Sequence, residues 1–125
     1  MTPEDARSFA VRWAEAWNNR DIEAVLVDFH DNVVFTSPTA LAVVGVGTVR
    51  GKEPLRAYWT AALGRISSLR FFVDRVLWDP EHRELAIIYT SQIDGTTKRV
   101  SENLTFDSRG RVVSAEVFHG VAEKR

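Results

Sequence analysis

The sequence predicts an α+β domain in which three helices cover one face of a curved, mainly antiparallel sheet. Three observations carry this. Apolar residues in the first half recur at helical spacing, from Arg70 onward the period drops to two and stays there, and two compact turn signals, Asp94-Gly95 and Asp107-Ser108-Arg109-Gly110, divide the second half.

Each element follows from local chemistry. Thr2-Pro3-Glu4-Asp5 opens the first helix, with Thr2 as cap, Pro3 at the first helical position and two acids at the positive end of the dipole. Ala6, Phe9, Ala10, Trp13, Ala16 and Trp17 then form one broad apolar stripe. Asn18-Asn19-Arg20 breaks the pattern, Asp21 caps a second helix whose buried side is Ile22, Val25, Leu26 and Phe29, and His30-Asp31-Asn32 ends it, His30 capping its last carbonyls. A short strand over residues 33–37 stops at Pro38.

Residues 38–50 are apolar, punctuated by glycine and without a polar face, which predicts a flap, partly a strand, folded over the core. Gly45 and Gly47 are not a dinucleotide fingerprint, because the third glycine position falls on Arg50. Gly51-Lys52 is not a phosphate loop, because Glu53 stands where Ser or Thr is required. Glu53-Pro54 opens a third helix bearing Leu55, Tyr58, Trp59, Ala62, Leu63 and Ile66. Strands follow over residues 69–78 and 84–93, then the two strands of the last hairpin.

Composition bounds the function. The 125 residues form one expected domain, 1–125, large enough for a core; 45% are hydrophobic and 26% charged. A net charge of −1 with dispersed Lys and Arg argues against nucleic acid or an anionic membrane as partner. With no cysteine there is no disulfide or thiolate chemistry, and the three histidines have no metal-ligand spacing, so neither a cofactor nor a metal is expected. The absence of a long apolar run and of a signal-peptide pattern leads to the expectation of a cytoplasmic protein.

The chemically suggestive stretch is the hairpin from Arg99 to Gly120. Alternation puts Val100, Glu102, Leu104 and Phe106 on one face, so that face is apolar except for one carboxylate. The return strand places Val113, Ala115, Val117 and His119 together. Pairing Val100 with Val117 sets Glu102 opposite Ala115, with His119 on the acid's face. The Asp94-Gly95 hairpin sets Tyr89 opposite Val100 and Ile87 opposite Glu102.

Four stretches, A-E-A-W-N-N-R-D-I-E-A-V, F-H-D-N-V-V-F-T-S-P, V-R-G-K-E-P-L-R-A-Y-W and N-L-T-F-D-S-R-G-R-V-V, resemble the NTF2-like superfamily and, within it, the SnoaL-like group that includes ketosteroid isomerase-like proteins. The resemblance implies a cone-shaped, cystatin-like α+β barrel with a deep pocket between concave sheet and helices, and a homodimer packed through the outer sheet face, where Phe118 lies. It does not imply one activity, since the family places isomerases, cyclases, dehydratases, hydrolases and binding subunits on one scaffold.

Carried over residue by residue, the resemblance retains one of three ketosteroid isomerase groups. Ser37 stands where that mechanism has its aspartate base, Trp13 aligns with the oxyanion-hole tyrosine, and Glu102 aligns with the oxyanion-hole acid. Steroid isomerisation by that route is therefore not expected. Glu102 and His119 are the candidates for acid-base work; Glu102 alternatively pairs with an arginine or with His119, and His119 alternatively sits on the rim. Trp13, Phe35, Ser37, Trp59, Tyr89 and Val117 are the candidate ligand-binding residues. Two functions stay open: a cofactor-independent isomerase, cyclase or dehydratase acting on a small apolar or aromatic molecule, and a non-catalytic binding or dimerisation domain.

Overall fold

The computed structural model describes residues 1–124. In chain order its elements are α1 (Pro3–Asn18), α2 (Ile22–Leu26), β1 (Phe29–Thr36), α3 (Pro38–Val44), β2 (Thr48–Arg50), α4 (Lys52–Leu63), β3 (Leu69–Asp79), β4 (Glu84–Ile93), β5 (Thr96–Phe106) and β6 (Val112–Lys124). The strands form one six-stranded sheet in the order β2-β1-β6-β5-β4-β3. All neighbours are antiparallel except β1 and β6, which run parallel. Since β2 and β3 remain edges, the curved sheet wraps the core without closing into a barrel.

The three expected helices are α1, α2 and α4. Thr2 and Asp5 make a reciprocal capping box at the start of α1, and the Asp21 carboxylate accepts from the Ala24 N–H at the start of α2. The buried stripe of α1 lies across β3, where the Asn18 carboxamide pairs with the Phe71 backbone, accepting from its N–H at 2.7 Å and donating to its carbonyl at 3.1 Å. Asn18 thus satisfies backbone groups on an edge strand. Arg20 reaches the far end of α4, donating to the Ser67 carbonyl at 2.8 Å, while Arg56 on α4 bridges Glu23 of α2 and Glu53.

Four expectations need correction. The second helix stops at Leu26, so Phe29 and His30 belong to β1, which starts four residues before the expected strand; His30 caps no helix, and its Nδ1 accepts from the Asn32 N–H instead. Parallel pairing with β6, beginning at Phe29 and Val112, pulls this segment into the sheet. The flap contains a strand, β2, but most of it is α3, capped by Ser37, started by Pro38 and closed by left-handed Gly45. The barrel is open, as described above. Finally, the last hairpin is two residues out of the expected register: Val100 faces His119, Glu102 faces Val117 and Leu104 faces Ala115.

That last shift has a local cause. The Asp107 carboxylate accepts from the backbone N–H groups of both Arg109 and Arg111, extending the loop to five residues, 107–111, before Val112 pairs with Phe106. An irregularity between the Thr105–Ser114 and Phe106–Val112 pairs adds one more residue on β6. From Ser114 onward the shift of two leaves each side chain on its expected face, but before the irregularity Val112, not the expected Val113, takes the buried place opposite Phe106. The Asp94-Gly95 hairpin has the expected pairing, with Tyr89 opposite Val100 and Ile87 opposite Glu102. Both turn residues have positive φ, 49° and 83°, as a type I′ turn demands.

Candidate functional site

The concave sheet and the helices enclose a cavity of about 380 Å³. Its deep wall is aromatic. Trp13 of α1 meets the Tyr89 ring edge-on at 5.0 Å, Phe71 lies 4.7 Å from Tyr89, and Trp59 packs edge-on against Phe35 at 5.5 Å and against Trp17 at 4.8 Å. These rings arrive from α1, α4, β1, β3 and β4, and each comes from an apolar helical stripe or the inward side of a strand.

Into this wall β5 inserts Glu102, almost wholly removed from solvent between Ile87 on β4 and Val117 on β6. Its described hydrogen-bond partner is the Tyr89 hydroxyl, which donates to Oε1 at 3.2 Å. Burial makes the charged form costly and pushes the Glu102 carboxyl up to about 7, the Tyr89 hydrogen bond pulling weakly the other way. Burial and the nearby Glu102 carboxylate hold the Tyr89 phenol well above its ordinary range. Tyr58, on α4, is pushed up to about 12, chiefly by burial. Near neutrality the site therefore holds two protonated phenols and one carboxyl poised between its forms.

The residues expected from sequence all line this cavity: Trp13, Phe35, Ser37, Trp59, Tyr89, Glu102, Val117 and His119. Not all of them touch. Among the described residues Glu102 and His119 share no hydrogen bond; His119 faces Val100, one inward pair nearer the mouth, and its Nδ1 accepts from the Lys98 ammonium at 3.5 Å. Burial and Lys98 both depress the His119 pKa, which favours neutral imidazole. Ser37 is buried with its hydroxyl accepting from the Thr39 N–H at the start of α3, so part of its hydrogen-bonding capacity serves the fold.

The polar lining residues that escaped the sequence reading include Tyr58, Ser91 and Lys98. Their signals were present. Tyr58 sits inside the apolar stripe of α4, Ser91 continues the inward alternation from Tyr89, and Lys98 continues it from Val100.

The family model described as a SnoaL-like domain matches residues 10–120. The chain belongs to the SnoaL-like domain family. A SnoaL-like protein of unknown function from Burkholderia thailandensis is similar over 96% of this chain and 98% of its own, with 31% identity and a TM-score of 0.86. Two more distant structures share the fold. The epoxide hydrolase/cyclase-like enzyme SalBIII, of pyran ring formation in salinomycin, has 13% identity, a TM-score of 0.78, and 98% and 97% of the two chains covered. A putative ketosteroid isomerase from Kribbella flavida has 18% identity, a TM-score of 0.72, and 98% and 83% covered. A sequence search of curated proteins finds no match.

In this SnoaL-like domain the buried acid links pH to stability. A carboxyl whose pKa is about 7 folded and 4.5 in the reference state binds its proton more tightly when folded. Its stabilisation is complete below pH 4.5 and is lost as pH rises through 7, a change of about 3 kcal/mol. Glu102→Gln keeps the shape and removes the titration. Denaturant unfolding should show the variant gaining on wild type between pH 5 and pH 8, by about 2 to 3 kcal/mol; parallel stability profiles would contradict the buried acid.

Proposed function

We propose that the domain is a cofactor-independent acid-base enzyme whose substrate is a small, largely apolar molecule seated in the cavity, with Glu102 as the proton-transferring group. The observation that supports this best is a single carboxyl buried at the inner end of an aromatic cavity, hydrogen-bonded to a phenol. Structures do not bury an acid in this way at no cost, and perturbed carboxyls of this kind cluster at functional sites.

The chemistry follows from the two protonation states. As carboxylate, Glu102 accepts a proton from a carbon next to a carbonyl, or from a hydroxyl closing a ring. As carboxylic acid, it donates to the oxygen on which charge develops. Tyr89 holds one carboxyl oxygen and leaves the other for substrate. Trp13, Phe35, Trp59 and Val117 supply apolar contact, and His119 meets the substrate from the mouth side. Isomerisation, cyclisation and dehydration all fit this equipment.

A second reading, a binding pocket without turnover, is favoured by one observation: neither a second carboxylate nor an imidazole bonds Glu102 among the described residues. Proton exchange separates the two. Incubated in D2O with 2-tetralone and 1-indanone, the wild type should exchange the ketone α-protons above the buffer rate, read by proton NMR. Glu102→Gln should lose about a hundredfold of that rate. Exchange no faster than buffer for either ketone would count for the binding pocket.

We further propose a homodimer through the outer sheet face. Phe118 on β6, in the row of Ser101 and partly buried Ile88, and Phe72 on β3, opposite Thr90, are exposed there. Light scattering at micromolar concentration should give twice the 14.1 kDa chain mass; a monomer would overturn it.

A further inference from the structure

Along the wall that carries Glu102, chemistry changes sign toward the mouth. The inward positions of β5, read outward, are Glu102, Val100 and Lys98. Among the described residues Glu102 is the one acid on the cavity lining, at its inner end. Lys98, at the outer end of that row, and Arg65, just past the end of α4, also line the cavity. Neither enters an ion pair among the described residues, although six such pairs occur elsewhere. Lys98 is half-buried, and among the described residues its ammonium has one hydrogen-bond partner, the His119 ring nitrogen.

That contact also fixes the imidazole. Because Nδ1 accepts from Lys98, Nε2 of the neutral ring carries the proton and is a donor. The lining thus carries an ammonium, a guanidinium and an N–H donor, and neither cation is paired with a carboxylate among the described residues. Between mouth and acid lies an apolar belt that includes Val100, Leu69 and Phe71.

We propose that the mouth receives the carboxylate of the ligand, so that the substrate class is a ring-sized apolar carboxylic acid that enters ring first, its anionic end on Lys98, Arg65 and His119. This rests on the reading of the cavity as a substrate site and adds the substrate's charge and orientation. Four residues of strand separate Lys98 from Glu102, about 13 Å. A ligand held at both ends therefore keeps its carboxylate and its reacting carbon well apart. The polarity also excludes the reverse orientation, since a carboxylate at the inner end would meet the charged form of Glu102 with no cation beside it.

The test is calorimetric titration with 2-naphthoate and 2-naphthamide, which match in shape and differ in charge. Wild type should bind the naphthoate about tenfold more tightly. Lys98→Met should remove most of that preference and leave the naphthamide unchanged. Raising salt from about 0.01 M to about 0.15 M should weaken the naphthoate alone, a readout that needs no variant. Equal binding of both probes, insensitive to salt, overturns the carboxylate receptor and leaves the pocket standing. A preference surviving both Lys98→Met and Arg65→Met overturns its location. Binding of neither probe overturns the receptor and the substrate cavity together.

Discussion

A carboxyl group taken out of water is the constraint to which much of this architecture answers. Glu102 sits on a central strand, flanked by Ile87 and Val117, and its described side-chain partner is the hydroxyl of Tyr89. One neutral hydrogen bond does not replace the hydration of a carboxylate, so the site favours the protonated form as far as pH allows. Everything that keeps water from Glu102 contributes: the rings of Trp13, Phe71 and Tyr89 behind it, α1 lying across β3, and α4 with Trp59 closing the opposite side. The same packing that makes the core pushes the acid's pKa up to about 7.

The curvature of the sheet lets core and cavity share residues. Along β4 and β5 the inward positions pass from fully buried Leu85, Ile87 and Leu104, through Tyr89 and Glu102, to Ser91 and Lys98 at the mouth. Hydrophobic density therefore falls and polarity rises along one continuous wall. At the mouth an irregularity in β6 accommodates the turn of the sheet; a Cβ at Gly120 would lie 3.0 Å from the Arg99 carbonyl, so only glycine fits there without displacement. The position next to His119 is thereby set by backbone contact.

Much of this was legible in the sequence, because face assignment depends on parity alone. Alternation placed Glu102, Tyr89, Val117 and His119 on one surface, and a register error of two residues left that result intact. Distances were not legible. Whether His119 bonds Glu102 depends on the exact pairing, which the Asp107 carboxylate and the irregularity near Val113 decide through hydrogen bonds that no pattern displays. The helix α3 was missed because its seven residues are apolar on every side, although Ser37, Pro38 and Gly45 spell its two ends. Lys98 was missed because a lysine beside a turn reads as solvated surface, yet the strand period carries it inward. Tyr58 read as core, its hydroxyl outweighed by its apolar neighbours.

The central claim is that Glu102 holds its proton near neutrality because it is buried in the wall of the cavity. The most direct measurement is the carbon-13 shift of its side-chain carboxyl followed against pH, the resonance being assigned by its loss in Glu102→Gln. The account predicts a midpoint at about 7. A midpoint near the ordinary glutamate value, about 4.3, would mean that water or an unrecognised cation reaches the carboxylate, and the acid-base site would fall with it.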